Sequence, residues 1–135
     1  MVKLAVFASG SGTNFENIVN RINDGTIKNA AVALLVVDKE HAKAIERAKR
    51  LDIPWVYVNP KAFPSKAEYE EEILQYLRKR EVDLIALAGY MRIVSPVLLA
   101  AYPKRIVNLH PAYLPYFPGK QSILDAFNAK VSETG

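Results

Sequence analysis

Three short stretches of the sequence carry residue types that do chemistry. The first, Ser9-Gly10-Ser11-Gly12-Thr13-Asn14, mixes glycines with small hydroxyl and amide side chains. Glycine lets the backbone approach an oxyanion and turn its N–H groups inward, and a helix starting just beyond adds favourable partial charge. The stretch is therefore a candidate phosphate cradle, although a strand-to-helix turn also takes glycine for steric reasons alone. It lacks the Gly-Lys-Ser/Thr ending of a P-loop, and Phe15 stands where a dinucleotide fingerprint has its third glycine.

The second stretch, Ala88-Gly89-Tyr90-Met91-Arg92-Ile93-Val94, brings together an aromatic ring, a thioether and a guanidinium. Taken singly, Met91 and Ile93 read as core residues and Arg92 as a surface cation, and only their position makes them candidates. The third is Asn108-Leu109-His110-Pro111. Strand alternation puts Asn108 and His110 on one side, about 7 Å apart along the axis. An amide donor beside a titratable imidazole stabilises an oxyanion and manages a proton, which suits acyl transfer. Prolines at 111, 115 and 118 stiffen the chain beyond the histidine, whereas His41 lies among charged residues and reads as an ordinary polar-helix histidine.

Other chemistries lack their residues. With two histidines, no cysteine and no metal-ligand spacing, no metal is expected, and no serine stands in a Gly-x-Ser-x-Gly elbow. The expected reaction is metal-free and non-covalent. The absence of cysteine also rules out disulfides and fits a reducing compartment.

Apolar runs at 4–8, 31–37, 55–58, 84–88 and 106–109 must position these stretches. They are short and continuous, as strands buried on both faces of a parallel sheet are. Thr13 with Glu16 and Ser65 with Glu68 have capping-box spacing, and Ser95-Pro96 sets a capping hydroxyl before a first-turn proline. Helices are expected to begin near 14, 66 and 96, with others over 41–51 and 121–129. This alternation predicts an α/β, Rossmann-like, doubly wound and mainly parallel sheet of order 3-2-1-4-5, whose ligand crevice lies between the carboxyl ends of strands one and four.

At 135 residues and half hydrophobic, the chain is the size of one domain. The opening apolar run is too short to span a bilayer and lacks the parts of a signal peptide, so a cytoplasmic location is expected. A net charge of +4 favours anionic ligands. The basic residues are interleaved with acids and form no stripe with stacking aromatics, which argues against nucleic acid.

Together, Ser9 to Asn14, Leu87-Ala88-Gly89-Tyr90-Met91-Arg92-Ile93 and Asn108-Leu109-His110-Pro111-Ala112-Tyr113-Leu114-Pro115-Tyr116-Phe117-Pro118-Gly119 resemble the phosphoribosylglycinamide formyltransferase family. The resemblance covers essentially the whole chain, and the last segment is its most specific part. It implies the formyltransferase fold and a purine-biosynthetic enzyme that moves the formyl group of 10-formyltetrahydrofolate, its cosubstrate, to the amine of 5'-phosphoribosylglycinamide. It further implies that Gly12, Thr13 and Asn14, with Ser11 nearby, hold the phosphoribosyl group. Met91, Arg92, Ile93 and Val94 would offer backbone to the folate ring, Lys66 would contact the folate, and Asn108 and His110 would be the catalytic amide and imidazole, Asn108 also touching the folate. The implied partners are small molecules, not nucleic acid or membrane, and a homodimer is compatible.

One departure stands out. Where this sequence ends, at Val131-Ser132-Glu133-Thr134-Gly135, the family continues into another strand and a loop whose aspartate raises the pKa of the histidine. No residue here takes that role. The expectation is a single catalytic domain, 1–135, truncated at its C-terminus, with an exposed fifth strand and impaired activity.

Related readings remain. Methionyl-tRNA formyltransferase and formyltetrahydrofolate deformylase share the Asn-x-His arrangement, but the glycine-rich loop suits a small phosphorylated acceptor better. A dinucleotide-binding oxidoreductase would use Asp38, after the second strand, to grip a ribose; Phe15 and the Asn108-His110 pair argue against it. A non-catalytic ligand-binding fragment is the third alternative.

Overall fold

The computed structural model describes residues 1–90 and 94–109. Its elements run β1 (Val2–Ala8), α1 (Thr13–Asn23), β2 (Ala30–Val37), α2 (Lys43–Leu51), β3 (Trp55–Tyr57), α3 (Lys66–Lys79), β4 (Leu84–Ala88), α4 (Pro96–Ala101) and β5 (Ile106–Leu109), with a 3-10 turn at Pro60–Ala62. The five strands form one parallel sheet in the order β3-β2-β1-β4-β5, as the alternation of elements predicts.

The strands are apolar on both faces because helices cover both. Leu4, Val6 and Ala8 of β1 pack with Phe15 and Ile18 of α1 and with Ala44 and Ala48 of α2. Ala5 and Phe7, pointing the other way, pack with Tyr69, Ile73 and Leu77 of α3 and with Leu98 of α4. The chain thus winds out from β1 on one face and returns on the other. That reversal opens the sheet at the carboxyl ends of β1 and β4. Phe15, which breaks the dinucleotide fingerprint, is fully buried beneath β1, where its ring fills the core.

Two local expectations need correction. The helix over 41–51 starts only at Lys43, because Ala42 keeps an extended backbone with ψ 132°, and His41 is left exposed ahead of it rather than on it. The strand over 55–58 ends at Tyr57, although the Val58 N–H still bonds to the Val37 carbonyl at 3.0 Å. The helix expected over 121–129 lies outside the described residues. Among the described residues no helix is long and apolar enough to cross a membrane.

The second capping expectation holds: Ser65 Oγ accepts the Glu68 N–H at 3.2 Å and starts α3. The first does not. Gly12, in a left-handed conformation, is the N-cap of α1, Thr13 is already helical, and no side chain caps this end. Glu16 turns instead to α2, where Arg47 and Arg50 both bond to its carboxylate. A carboxylate facing two guanidiniums gains more than it would from one backbone N–H.

Those guanidiniums, Arg50 first and Arg47 second, hold the Glu16 carboxyl below its ordinary pKa. The folded protein therefore binds fewer protons at this site than the unfolded chain. The resulting stability is present above the unfolded pKa and is lost as pH falls through the depressed one. Acidification from about pH 5 to about pH 3 should lower the unfolding midpoint more in the parent than in Glu16→Gln. Parallel decline of the two midpoints would remove Glu16 as a source of acid sensitivity.

Candidate active site

The β1–β4 register ends with Phe7 opposite Leu87, and β4–β5 pairs Leu87 with Asn108 and Ala88 with Leu109. Just past the sheet, the Ser9 N–H donates to the Gly89 carbonyl at 3.3 Å, tying the loop after β1 to the loop after β4. The first two chemistry-bearing stretches are thus neighbours at the reversal, and Asn108 stands one strand further along.

The glycine loop owes its shape to α2. The Ala44 N–H donates to the Gly10 carbonyl at 3.2 Å, and Arg47 Nε donates to the Ser11 carbonyl at 2.7 Å. In a trans peptide the C=O and the following N–H point in opposite directions. With both carbonyls held toward α2, the N–H groups of Ser11 and Gly12 face away from it. The first turn of α1 adds further N–H groups without intrahelical partners at the positive end of the helix dipole. The first N–H to close the helix is that of Glu16, bonded to the Gly12 carbonyl at 2.9 Å.

This is the arrangement an anion needs. Ser11 and Thr13 are exposed beside it, their hydroxyls hydrogen-bonded at 3.0 Å, while Gly12 and Asn14 are buried. The structure therefore brings together all four residues expected at the phosphate. Arg47, which sets the direction of the Gly12 N–H, escapes sequence reading because it lies 36 residues from Ser11 on a polar helix.

On the other face, Tyr90 packs edge-on against Phe7 with ring centroids 5.3 Å apart, and the Tyr69 and Tyr90 hydroxyls bond at 2.6 Å. Lys66 is exposed in the first turn of α3. It lies three and four residues ahead of Tyr69 and Glu70, hence on the helical face that meets the chain after β4. Val94 is partly buried against the same apolar cluster. Met91, Arg92 and Ile93, expected beside Val94, lie outside the described residues.

Asn108 is exposed. Ile106 packs on the α3–α4 face and Val107 on the α1–α2 face, so alternation returns Asn108 to the face of α3 and α4. His110, its expected partner, lies outside the described residues. Asp38, the residue a dinucleotide reading would use, is 5% exposed at the end of β2.

Comparison with known proteins fits this geometry. The family model described as "Formyl transferase" matches residues 2–135. The phosphoribosylglycinamide formyltransferase of Bacillus subtilis (strain 168) is 50% identical over 135 residues, covering 100% of this chain and 69% of that protein. The chloroplastic phosphoribosylglycinamide formyltransferase of Arabidopsis thaliana is 46% identical over 120 residues, which are 87% of this chain and 40% of that one. Among solved structures, glycinamide ribonucleotide transformylase 1 from Geobacillus kaustophilus superposes with a TM-score of 0.79 at 55% identity, covering 96% of this chain and 68% of that one. These matches leave no room for the oxidoreductase reading, and the chain belongs to the formyl transferase family, among its phosphoribosylglycinamide formyltransferases.

Proposed function

We propose that this chain transfers the formyl group of 10-formyltetrahydrofolate to the amine of 5'-phosphoribosylglycinamide. The observation that carries the reading is an uncapped N–H cluster at Ser11 to Asn14, its first two groups turned away from α2, and a solvent-facing amide at Asn108, on strands that flank β4. Two inter-strand spacings separate β1 from β5, about 10 Å. A sugar phosphate bearing a short amide bridges that span with its phosphate at one end and its amine at the other.

Each residue then has a task. Backbone N–H groups of Ser11, Gly12, Thr13 and Asn14 hold the phosphate, the first two with their direction set through Ala44 and Arg47. Lys66 and the backbone of Met91, Arg92, Ile93 and Val94 hold the folate on the opposite lip. The acceptor nitrogen attacks the formyl carbon, and the carbonyl oxygen takes up the negative charge. The Asn108 amide donates to that oxygen, where a preorganised donor gains most. The bond from carbon to the folate nitrogen then breaks, and the proton given up by the attacking amine passes to that nitrogen. His110 is the group we assign to carry it.

The same reading treats residues 1–135 as one catalytic domain acting on small molecules in the cytoplasm. Its test is single-turnover formyl transfer with protein of verified mass, offering phosphoribosylglycinamide, methionyl-tRNA or water as acceptor. Transfer to phosphoribosylglycinamide alone is expected. Hydrolysis without transfer would favour a deformylase, and ligand binding without either reaction would favour a non-catalytic fragment.

A further inference from the structure

Ser95 stands at the N-cap of α4 but makes no side-chain cap of its own. The cap comes from another helix. Glu70 of α3 reaches across, and its carboxylate accepts the Ser95 N–H at 2.9 Å, the Ser95 hydroxyl at 2.5 Å and the Leu98 N–H at 3.2 Å. Glu70 is 2% exposed, and a carboxylate this deeply placed is tolerated because it is saturated with donors and faces a helix N-terminus.

Its neighbour Tyr69, also 2% exposed, bonds to Tyr90 at 2.6 Å and packs edge-on against Phe63. Consecutive residues of α3 therefore hold the chain on either side of positions 91–93, Tyr69 at Tyr90 and Glu70 at Ser95. A six-residue helix such as α4 does not hold its own place. A serine cap would stabilise α4 locally, whereas a carboxylate from α3 ties the chain after β4 to the helix that carries Lys66.

We propose that Tyr69 and Glu70 are positioning residues for the folate lip, fixing Tyr90 and the chain from Val94 to Leu98 against the first turns of α3 so that Val94 keeps its place beside the helix that carries Lys66. This rests on the assignment of that lip to the folate. Neither residue is assigned contact with a substrate, and both act through what they hold.

The two arms of the clamp are tested separately. Glu70→Gln keeps shape and volume but removes one acceptor oxygen and the charge; tetrahydrofolate affinity should fall about tenfold, the scale of losing charge-assisted bonds. Affinity for phosphoribosylglycinamide should not change, and KM for 10-formyltetrahydrofolate should rise by more than kcat falls. Tyr69→Phe and Tyr90→Phe each break the Tyr69–Tyr90 hydroxyl bond, so each should weaken tetrahydrofolate binding, and the loss in the double variant should be less than the sum of the two single losses. Equal loss of both ligands, or folate binding unchanged in the Gln and Phe variants, would overturn the proposal.

Amide hydrogen exchange supplies a readout independent of ligand. Glu70→Gln should speed exchange at Ser95 and Leu98 while leaving Ser9 to Asn14 as protected as in the parent. If the parent binds no tetrahydrofolate, the functional assignment fails on its own. The exchange data still decide the clamp, since unchanged protection at Ser95 and Leu98 overturns it.

Discussion

Replacing Asn108 with alanine is expected to lower the single-turnover rate of formyl transfer by about 10²–10³-fold, the effect of removing one preorganised oxyanion donor. Asn108 is solvent-facing at the carboxyl end of β5 and makes no contribution to either apolar cluster. Truncation at such a site changes stability by no more than about 0.5 kcal/mol, so the unfolding midpoint should stay where it is. Phosphoribosylglycinamide should bind as before, because the site proposed for its phosphate lies two strands away. The isosteric Asn108→Asp variant is the sharper control: it keeps the shape but puts a negative charge against the developing oxyanion, and should be slower than Asn108→Ala. Near-parental turnover in the alanine variant would remove Asn108 from catalysis.

Substituting Gly12 with alanine should cost both stability and phosphate binding. Gly12 has φ +80°, and an added Cβ would lie 2.6 Å from both Cα and Cβ of Ala44 and 3.2 Å from Arg47 Cδ. The left-handed backbone costs about 1–2 kcal/mol with a side chain present, and forcing extra volume against packed backbone about 1–3 kcal/mol more. A fall of ~10 °C in the unfolding midpoint is the corresponding scale. Any relief must come from moving α2 away, which would release Arg47 from the Ser11 carbonyl and the N–H cluster from its alignment. Binding of phosphoribosylglycinamide should therefore fall in whatever fraction stays folded.

Gly10→Ala is the matched control. A Cβ at Gly10 has nothing within 4 Å, and this glycine is not in the left-handed region. The variant should melt with the parent. If the two alanine variants melt together, the packing of α2 on the glycine loop is not what requires Gly12.

The two glycines look alike in the sequence, where both belong to a phosphate cradle and a steric account stays open beside it. Contact with Ala44 shows that at Gly12 the steric demand is real; in the proposed function it also serves the cradle, since the close approach of α2 is what lets Ala44 and Arg47 turn the carbonyls of Gly10 and Ser11. Glu16 departs from its local pattern for a similar reason. Thr13 and Glu16 have the spacing of a capping box, but spacing cannot reveal two arginines 31 and 34 residues away that outcompete a backbone N–H.

Strand positions, sheet order and the place of the crevice follow from local patterns: continuous apolar runs, helix starts and the handedness of crossovers, each contained within a few neighbouring residues. The family is legible for the same reason, since its motifs are short and contiguous. Arg47 on the Ser11 carbonyl, Glu70 capping α4 in place of Ser95, and Tyr69 against Tyr90 are different in kind. Each joins residues 21 to 36 apart, a polar side chain of α2 or α3 to a loop residue beyond β1 or β4. Which of many such charges and hydroxyls meet depends on how α2 and α3 seat on opposite faces of the sheet, and only the packed core settles that.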